Sequence, residues 1–164
     1  MYYVAEHRIK YIHKIFIFLL LTTVLFSENR TIPLHKLFKT ELKIKDKIFY
    51  VWLALSPKQQ SEGLSFVEID EVSNKEGMLF IYPLNAQRTF WMNNTFMDLD
   101  IIFIKEDGTI DQLYSMSKDS TQYYGSMGMV RYVLELRKGI LETIPLHIGD
   151  KIEISKEISD FSQP

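Results

Sequence analysis

The run Leu99-Asp100-Ile101-Ile102-Phe103-Ile104, followed by Lys105-Glu106-Asp107-Gly108 and a second β-prone segment at residues 109–116, decides the fold. An Asp-Gly pair between two such segments is a strong hairpin signal, because tight hairpin turns need residues that tolerate positive φ. The four residues after Asp100 are apolar on both faces of an extended chain, so this strand is predicted to be central and nearly buried. Asp100 then begins its strand at the rim of the core. A buried carboxylate without a partner is costly, which predicts a hydrogen-bonded contact with Arg131, Arg88 or the amides of the loop at residues 93–95.

Further hairpin and cap signals extend in both directions. Residues 42–44 and 48–55 flank Lys45-Asp46-Lys47 and read as a hairpin. Ser56-Pro57-Lys58-Gln59 supplies an N-cap, a proline at the first helical position and a glutamine at the third, so a short helix is predicted up to about Gly63. Gly77-Met78-Leu79-Phe80-Ile81-Tyr82 reads as a strand broken by Pro83, with the next strand at residues 88–92. Arg131-Tyr132-Val133-Leu134-Glu135-Leu136 alternates polar and apolar in part, as a half-buried strand does. Residues 139–144 are expected to form a helical turn or two, and Gly149-Asp150 to lead into a last strand at residues 151–154. The predicted class is α+β and mostly β: a small curved sheet or barrel-like domain with one or two short helices. It spans residues 41–155, a length suited to one core, and leaves a tail at residues 156–164.

The N-terminus speaks to location. Arg8, Lys10 and Lys14 precede an uncharged, mostly apolar stretch over residues 15–26, which is short of the roughly 20 residues needed to span hydrocarbon. Residues 1–27 are therefore expected to be an export signal or an N-terminal membrane anchor, with a polar tether at residues 28–40. Export places the domain in the periplasm or on the cell surface, touching membrane only through that segment. The chain has no Cys, which excludes disulfides, cysteine lipidation and thiolate metal sites. Without residues 1–26 the chain keeps 16 basic and 20 acidic side chains, a net charge of −4. Such a balance disfavours a nucleic-acid partner, since phosphate binding needs a concentrated basic surface.

The candidate site lies just before the deciding strand. Thr89-Phe90-Trp91-Met92-Asn93-Asn94-Thr95-Phe96-Met97-Asp98 packs large apolar side chains against amides, a hydroxyl and a carboxylate. Buried amides cost about 1–3 kcal/mol each unless hydrogen-bonded, so the polar half must pair internally or face a ligand. Trp91 could stack on a ligand, and Asn94 and Thr95 either orient it or cap a loop. Asp98 and Asp100 share a face of an extended chain and are the candidate catalytic carboxylates. Arg131 and Glu135 also share a face, and either neutralise one another or bracket a polar ligand. The candidate ligand-binding set is Trp91, Asn94, Thr95, Asp100 and Arg131. His35 and His147 are isolated, and Met116, Met127 and Met129 read as packing in preference to a copper(I) site, so no metal or cofactor is expected.

Gln59-Gln60 with Gly63-Leu64, Gly77-Met78-Leu79-Phe80, Phe90-Trp91-Met92 with Asn94-Thr95, Leu99-Asp100-Ile101, Asp107-Gly108 and the run from Arg131 to Leu136 together resemble, in order and spacing, domain-of-unknown-function family 192. The resemblance covers residues 42–154. It implies a prokaryotic protein, often exported, with a compact β-rich fold and no established activity. The chain departs from the family pattern at Asn93, where the family usually has lysine, and at Asp98, where it usually has proline. An anion-binding role is correspondingly weaker here than in such relatives.

These readings favour a non-catalytic ligand- or partner-binding module of the cell envelope, taking a small polar molecule or another envelope protein. The alternative is a hydrolase or lyase acting on a polar envelope-derived compound, with Asp100 as general base.

Overall fold

Two apolar layers, one on each side of a single sheet, organise this chain. The computed structural model describes residues 30–161, and the expected export segment lies outside them. In chain order the strands are β1 (Lys39–Ile44), β2 (Lys47–Ala54), β3 (Glu76–Ala86), β4 (Thr89–Phe90), β5 (Leu99–Ile104), β6 (Ile110–Met116), β7 (Tyr124–Gly125) and β8 (Val130–Arg137). The α-helices are α1 (Pro57–Glu62), α2 (Ile140–Thr143) and α3 (Lys156–Asp160). Six strands form one mixed sheet in the order β1-β2-β3-β8-β5-β6, while β4 and β7 form a small separate ribbon. Only β2 and β3 run parallel, joined by the connection that carries α1. The sheet is open, with β1 and β6 at its edges, so the α+β, mostly β class takes the form of an open sheet and not that of a closed barrel.

The deciding hairpin forms as its sequence dictates. β5 pairs with β6 across the Asp107-Gly108 turn and with β8 on its other side, and all six of its residues are buried. Alternation along β5 feeds both layers. Leu99, Ile101 and Phe103 join Met78, Phe80 and Val133 beneath Leu64, Met92 and Met97. Ile102 and Ile104 join Tyr132 and Leu134 beneath Ile144, Leu146, Ile152 and Ile158. α1 carries the expected capping box: Gln59 N donates to Ser56 Oγ at 3.3 Å, and Ser56 N donates to Gln59 Oε1 at 2.8 Å.

Several elements differ from expectation for identifiable reasons. Pro83 does not end β3; the strand continues to Ala86 through an irregularity between Ile81 and Ala86, where a missing N–H does not interrupt the ladder. β8 is buried on both faces and not half-buried, because it runs between β3 and β5 with apolar layers above and below. Residues 88–92 yield only the two-residue β4, and residues 151–154 only a bridge between Thr109 and Lys151. The described part of the polar tether is packed: Leu34 and Leu37 are buried, and the Glu62 carboxylate accepts from the Thr31 and Ile32 amides. The expected tail forms α3, capped by Ser155 and holding Ile158 in the core.

Candidate functional site

Asp100 is fully buried, and its partners are fixed. One carboxylate oxygen accepts from Ser115 Oγ at 2.5 Å, and the other from the Gly139 and Leu141 amides at 3.0 Å each. The carboxylate is thus paired as predicted, but with donors of β6 and the first turn of α2 in place of Arg131, Arg88 or the 93–95 loop. Leu99 and Ile101 point into one apolar layer, so Asp100 points to the other, beneath α2. Trp91 stands on the opposite side of the sheet. Asp100 does not line the pocket that Trp91 borders, and its carboxylate is taken up by three donors of the fold. Asp98 precedes the strand, accepts from the Lys118 amide at 2.9 Å and lies 3.5 Å from Lys138 Nζ. The Lys118 amide holds its carboxyl below the usual range.

On the face that carries Trp91, a half-open pocket of about 200 Å³ lies between the end of α1, β3, the β4 segment and β8. Its walls include Glu62, Phe80, Tyr82, Phe90, Thr95 and Glu135, with Trp91 at the rim. Glu135 opposes Met78 of β3 and Ile101 of β5, so two neighbouring strands enclose it. It is 4% exposed, and its Oε2 is buried with no hydrogen-bond partner among the described residues. Burial pushes its carboxyl up to about 8, against the opposing pull of Arg30. The chain folds back over this carboxyl at Gly63, where φ is +49°; a Cβ there would lie 3.3 Å from Phe80 Cζ and 3.8 Å from Glu135 Oε2. Glycine lets the backbone turn in a conformation that side chains disfavour, close to the pocket wall. Arg30 holds that turn by donating to the Gly63 carbonyl.

Aromatic side chains dominate the rest of the wall. Phe80 and Phe90 meet edge to face at 4.9 Å, and burial raises the Tyr82 phenol to about 12, with the Arg88 guanidinium 3.7 Å from its ring centroid opposing the shift. Trp91 is 54% exposed and stacks on Tyr123 with ring centroids 5.8 Å apart and 9° between planes. Thr95 is buried, and its amide donates to the Met92 carbonyl at 3.1 Å. Asn94 has φ +54° and accepts from the Phe66 amide through its carbonyl, so it shapes the turn and does not line the pocket.

Of the candidate set, the pocket therefore gathers Trp91 and Thr95, and leaves out Asn94, Asp100 and Arg131. Arg131 approaches Glu106 at 3.5 Å, outside the pocket and not paired with Glu135. Glu135, which the sequence offers either as a neutralising partner of Arg131 or as one of two groups bracketing a ligand, lies outside the expected ligand-binding set. Its signal is a lone acidic residue between Leu134 and Leu136 in an apolar run. The methionines part company as well: Met92, Met97 and Met116 are buried, while Met127 and Met129 are exposed. Among the described residues, no group of three or more His, Asp and Glu side chains is placed to hold a metal ion.

The residues that wall this pocket lie within the span that a family model matches. The DUF192 model, "Uncharacterized ACR", matches residues 40–154. The chain belongs to this family. A solved structure from Sinorhizobium meliloti 1021, described provisionally as a transcription regulator, is similar to this DUF192 protein with a TM-score of 0.63 and 30% identity, covering 70% of this chain and 91% of the other. A protein of unknown function from Novosphingobium aromaticivorans DSM 12444 is similar with a TM-score of 0.62 and 26% identity, covering 72% of this chain and 85% of the other. No curated protein matches the chain.

Proposed function

We propose that this DUF192 protein is a non-catalytic ligand-binding module of the cell envelope, and that the pocket beside Glu135 takes a small polar molecule. The observation that carries the reading is the buried Glu135 Oε2, without a hydrogen-bond partner among the described residues, in a half-open, aromatic-walled pocket. Buried polar groups are nearly always satisfied, and an exception that lines a pocket is a place for a ligand atom. The exposed Trp91–Tyr123 stack offers a flat apolar ledge at the rim of this pocket. A volume of about 200 Å³ suits a compact molecule and falls below the range for drug-sized ligands. The basic and apolar N-terminal segment supports the envelope location. The description of the Sinorhizobium protein as a regulator would call for a basic surface, which a net charge of −4 outside residues 1–26 does not favour.

Ligand binding raises the melting temperature by mass action, with no turnover. A thermal-shift screen of sugars, amines, amino acids and small acids against the full chain is expected to find stabilising compounds, whose effect Trp91→Ala weakens. If no compound raises the melting temperature, the reading fails.

A further inference from the structure

We infer that the pocket recognises a small primary ammonium compound, with Glu135 as the group that pairs with the ligand nitrogen. This rests on the pocket being the ligand site. Its wall carries two carboxyl side chains, Glu62 and Glu135, and four aromatic ones, Phe80, Tyr82, Phe90 and Trp91, and no Lys, Arg or His among the described residues. An anion would meet two acidic side chains and no cationic one on that wall. A neutral ligand could hydrogen-bond to Oε2 but would supply no charge to balance the ionised form of Glu135 in an apolar surround. An ammonium N–H supplies both the donor that Oε2 lacks and the positive charge that buried carboxylates and aromatic rings favour. Arg30 stops short of that role: it is engaged with the Gly63 carbonyl, and neither its Nη2 nor Glu135 Oε2 has a hydrogen-bond partner among the described residues.

Binding has a proton balance of its own. Empty and at neutral pH, Glu135 carries its proton, because burial lifts the carboxyl to about 8. An incoming R–NH3+ stabilises the carboxylate, so the carboxyl proton passes to buffer as the ion pair forms. The charged and titratable groups around Glu135 are Arg30 from the N-terminal segment, Glu62 from α1 and Tyr82 from β3, with Arg88 beyond the Tyr82 ring. Tyr82, raised to about 12, stays neutral over the range tested.

The test compares n-butylammonium chloride with 1-butanol, two probes of one shape that differ in charge, by calorimetric titration of the full-length chain. The amine is expected to bind at least tenfold more tightly. In buffers of different ionisation enthalpy at pH 7 its binding should release close to one proton, and at pH 9.5 almost none. Glu135→Gln should reduce amine affinity at least tenfold and abolish the proton release; the wild-type proton count stands by itself if that variant folds poorly. Equal affinity for amine and alcohol, or amine binding without proton release at pH 7, overturns the assignment of Glu135 to an ammonium while leaving a ligand pocket in place. Should neither probe nor any sugar, amino acid or acid bind, the ligand-site reading itself falls.

Discussion

The Ser115 hydroxyl donates a 2.5 Å hydrogen bond to the Asp100 carboxylate across the β5–β6 pair, where the two residues are direct register partners. The second carboxylate oxygen gathers the Gly139 and Leu141 amides, so one buried side chain ties the sheet to the start of α2. Asp100→Ala would leave two amides and a hydroxyl without their acceptor, at roughly 1–3 kcal/mol for each buried group that water cannot reach. A loss of about 3–5 kcal/mol is expected, against less than about 1 kcal/mol for Asp98→Ala at the surface. Denaturant midpoints of the two variants check this, and a greater loss at Asp98 would overturn it.

Glu135 gives stability a pH dependence with a definite sign. Its carboxyl moves from an ordinary 4.5 up to about 8 in the folded chain, so the native state holds more protons than the unfolded state between those values. The stabilisation is fully present below about 4.5 and is lost as pH rises through about 8. The slope approaches about 1.4 kcal/mol per pH unit at most. Glu135→Gln, which cannot ionise, is expected to flatten this decline, so that its urea midpoint exceeds that of the wild type at pH 9 by more than at pH 5. Parallel midpoint curves for the two proteins would refute the buried, unpaired carboxyl.

What local chemistry determines was legible in the sequence, and what distant packing determines was not. The Asp107-Gly108 hairpin, the turn at Lys45-Asp46 and the Ser56/Gln59 capping box each depend on residues within a few positions, and all three form. Asp100 was correctly read as buried and hydrogen-bonded, but its partners needed the β5–β6 register, which shifts between Phe103 and Ile104. Glu135 and Arg131 share a strand, which suggested a pair. Arg131 instead approaches Glu106 of the β5–β6 turn, and Glu135 faces Gly63 at the end of α1. Neither the turn nor the helix end declares itself as a neighbour of β8 in linear sequence. Trp91, open in the sequence between packing and stacking on a ligand, lies exposed at the pocket rim, whereas Asn94 serves the turn through its backbone.

At Gly77, β3 runs tight against β8. A Cβ there would lie 2.2 Å from the Glu135 carbonyl oxygen and 2.6 Å from Leu136 Cδ2, and the first of these is backbone that cannot rotate aside. Gly77→Ala is expected to cost more than about 2 kcal/mol through forced separation of two interior strands. At Gly125 the nearest atom would be 3.4 Å away, so Gly125→Ala should cost less than about 1 kcal/mol. Thermal denaturation of both variants checks the contrast, and a mild Gly77→Ala would contradict the tight β3–β8 contact.

The chain's two tryptophans report on opposite environments, which makes the pocket rim observable before any ligand is known. Trp52 is 6% exposed and lies beneath Lys39, whose Nζ is 4.2 Å from its ring centroid. Trp91 is 54% exposed and covered on one side by Tyr123. Trp91→Phe should leave a blue-shifted emission that acrylamide quenches several-fold less than it quenches Trp52→Phe. Removing the stacked neighbour as well, in Trp52→Phe/Tyr123→Ala, should raise quenching further, because the second face of the indole then meets solvent. A compound that docks against this ledge should protect Trp91 from acrylamide and leave Trp52 untouched, which separates binding at the rim from a general tightening of the fold. Equal quenching of the two single-tryptophan variants would mean that Trp91 is not on the surface, and the ledge at the pocket mouth would not exist.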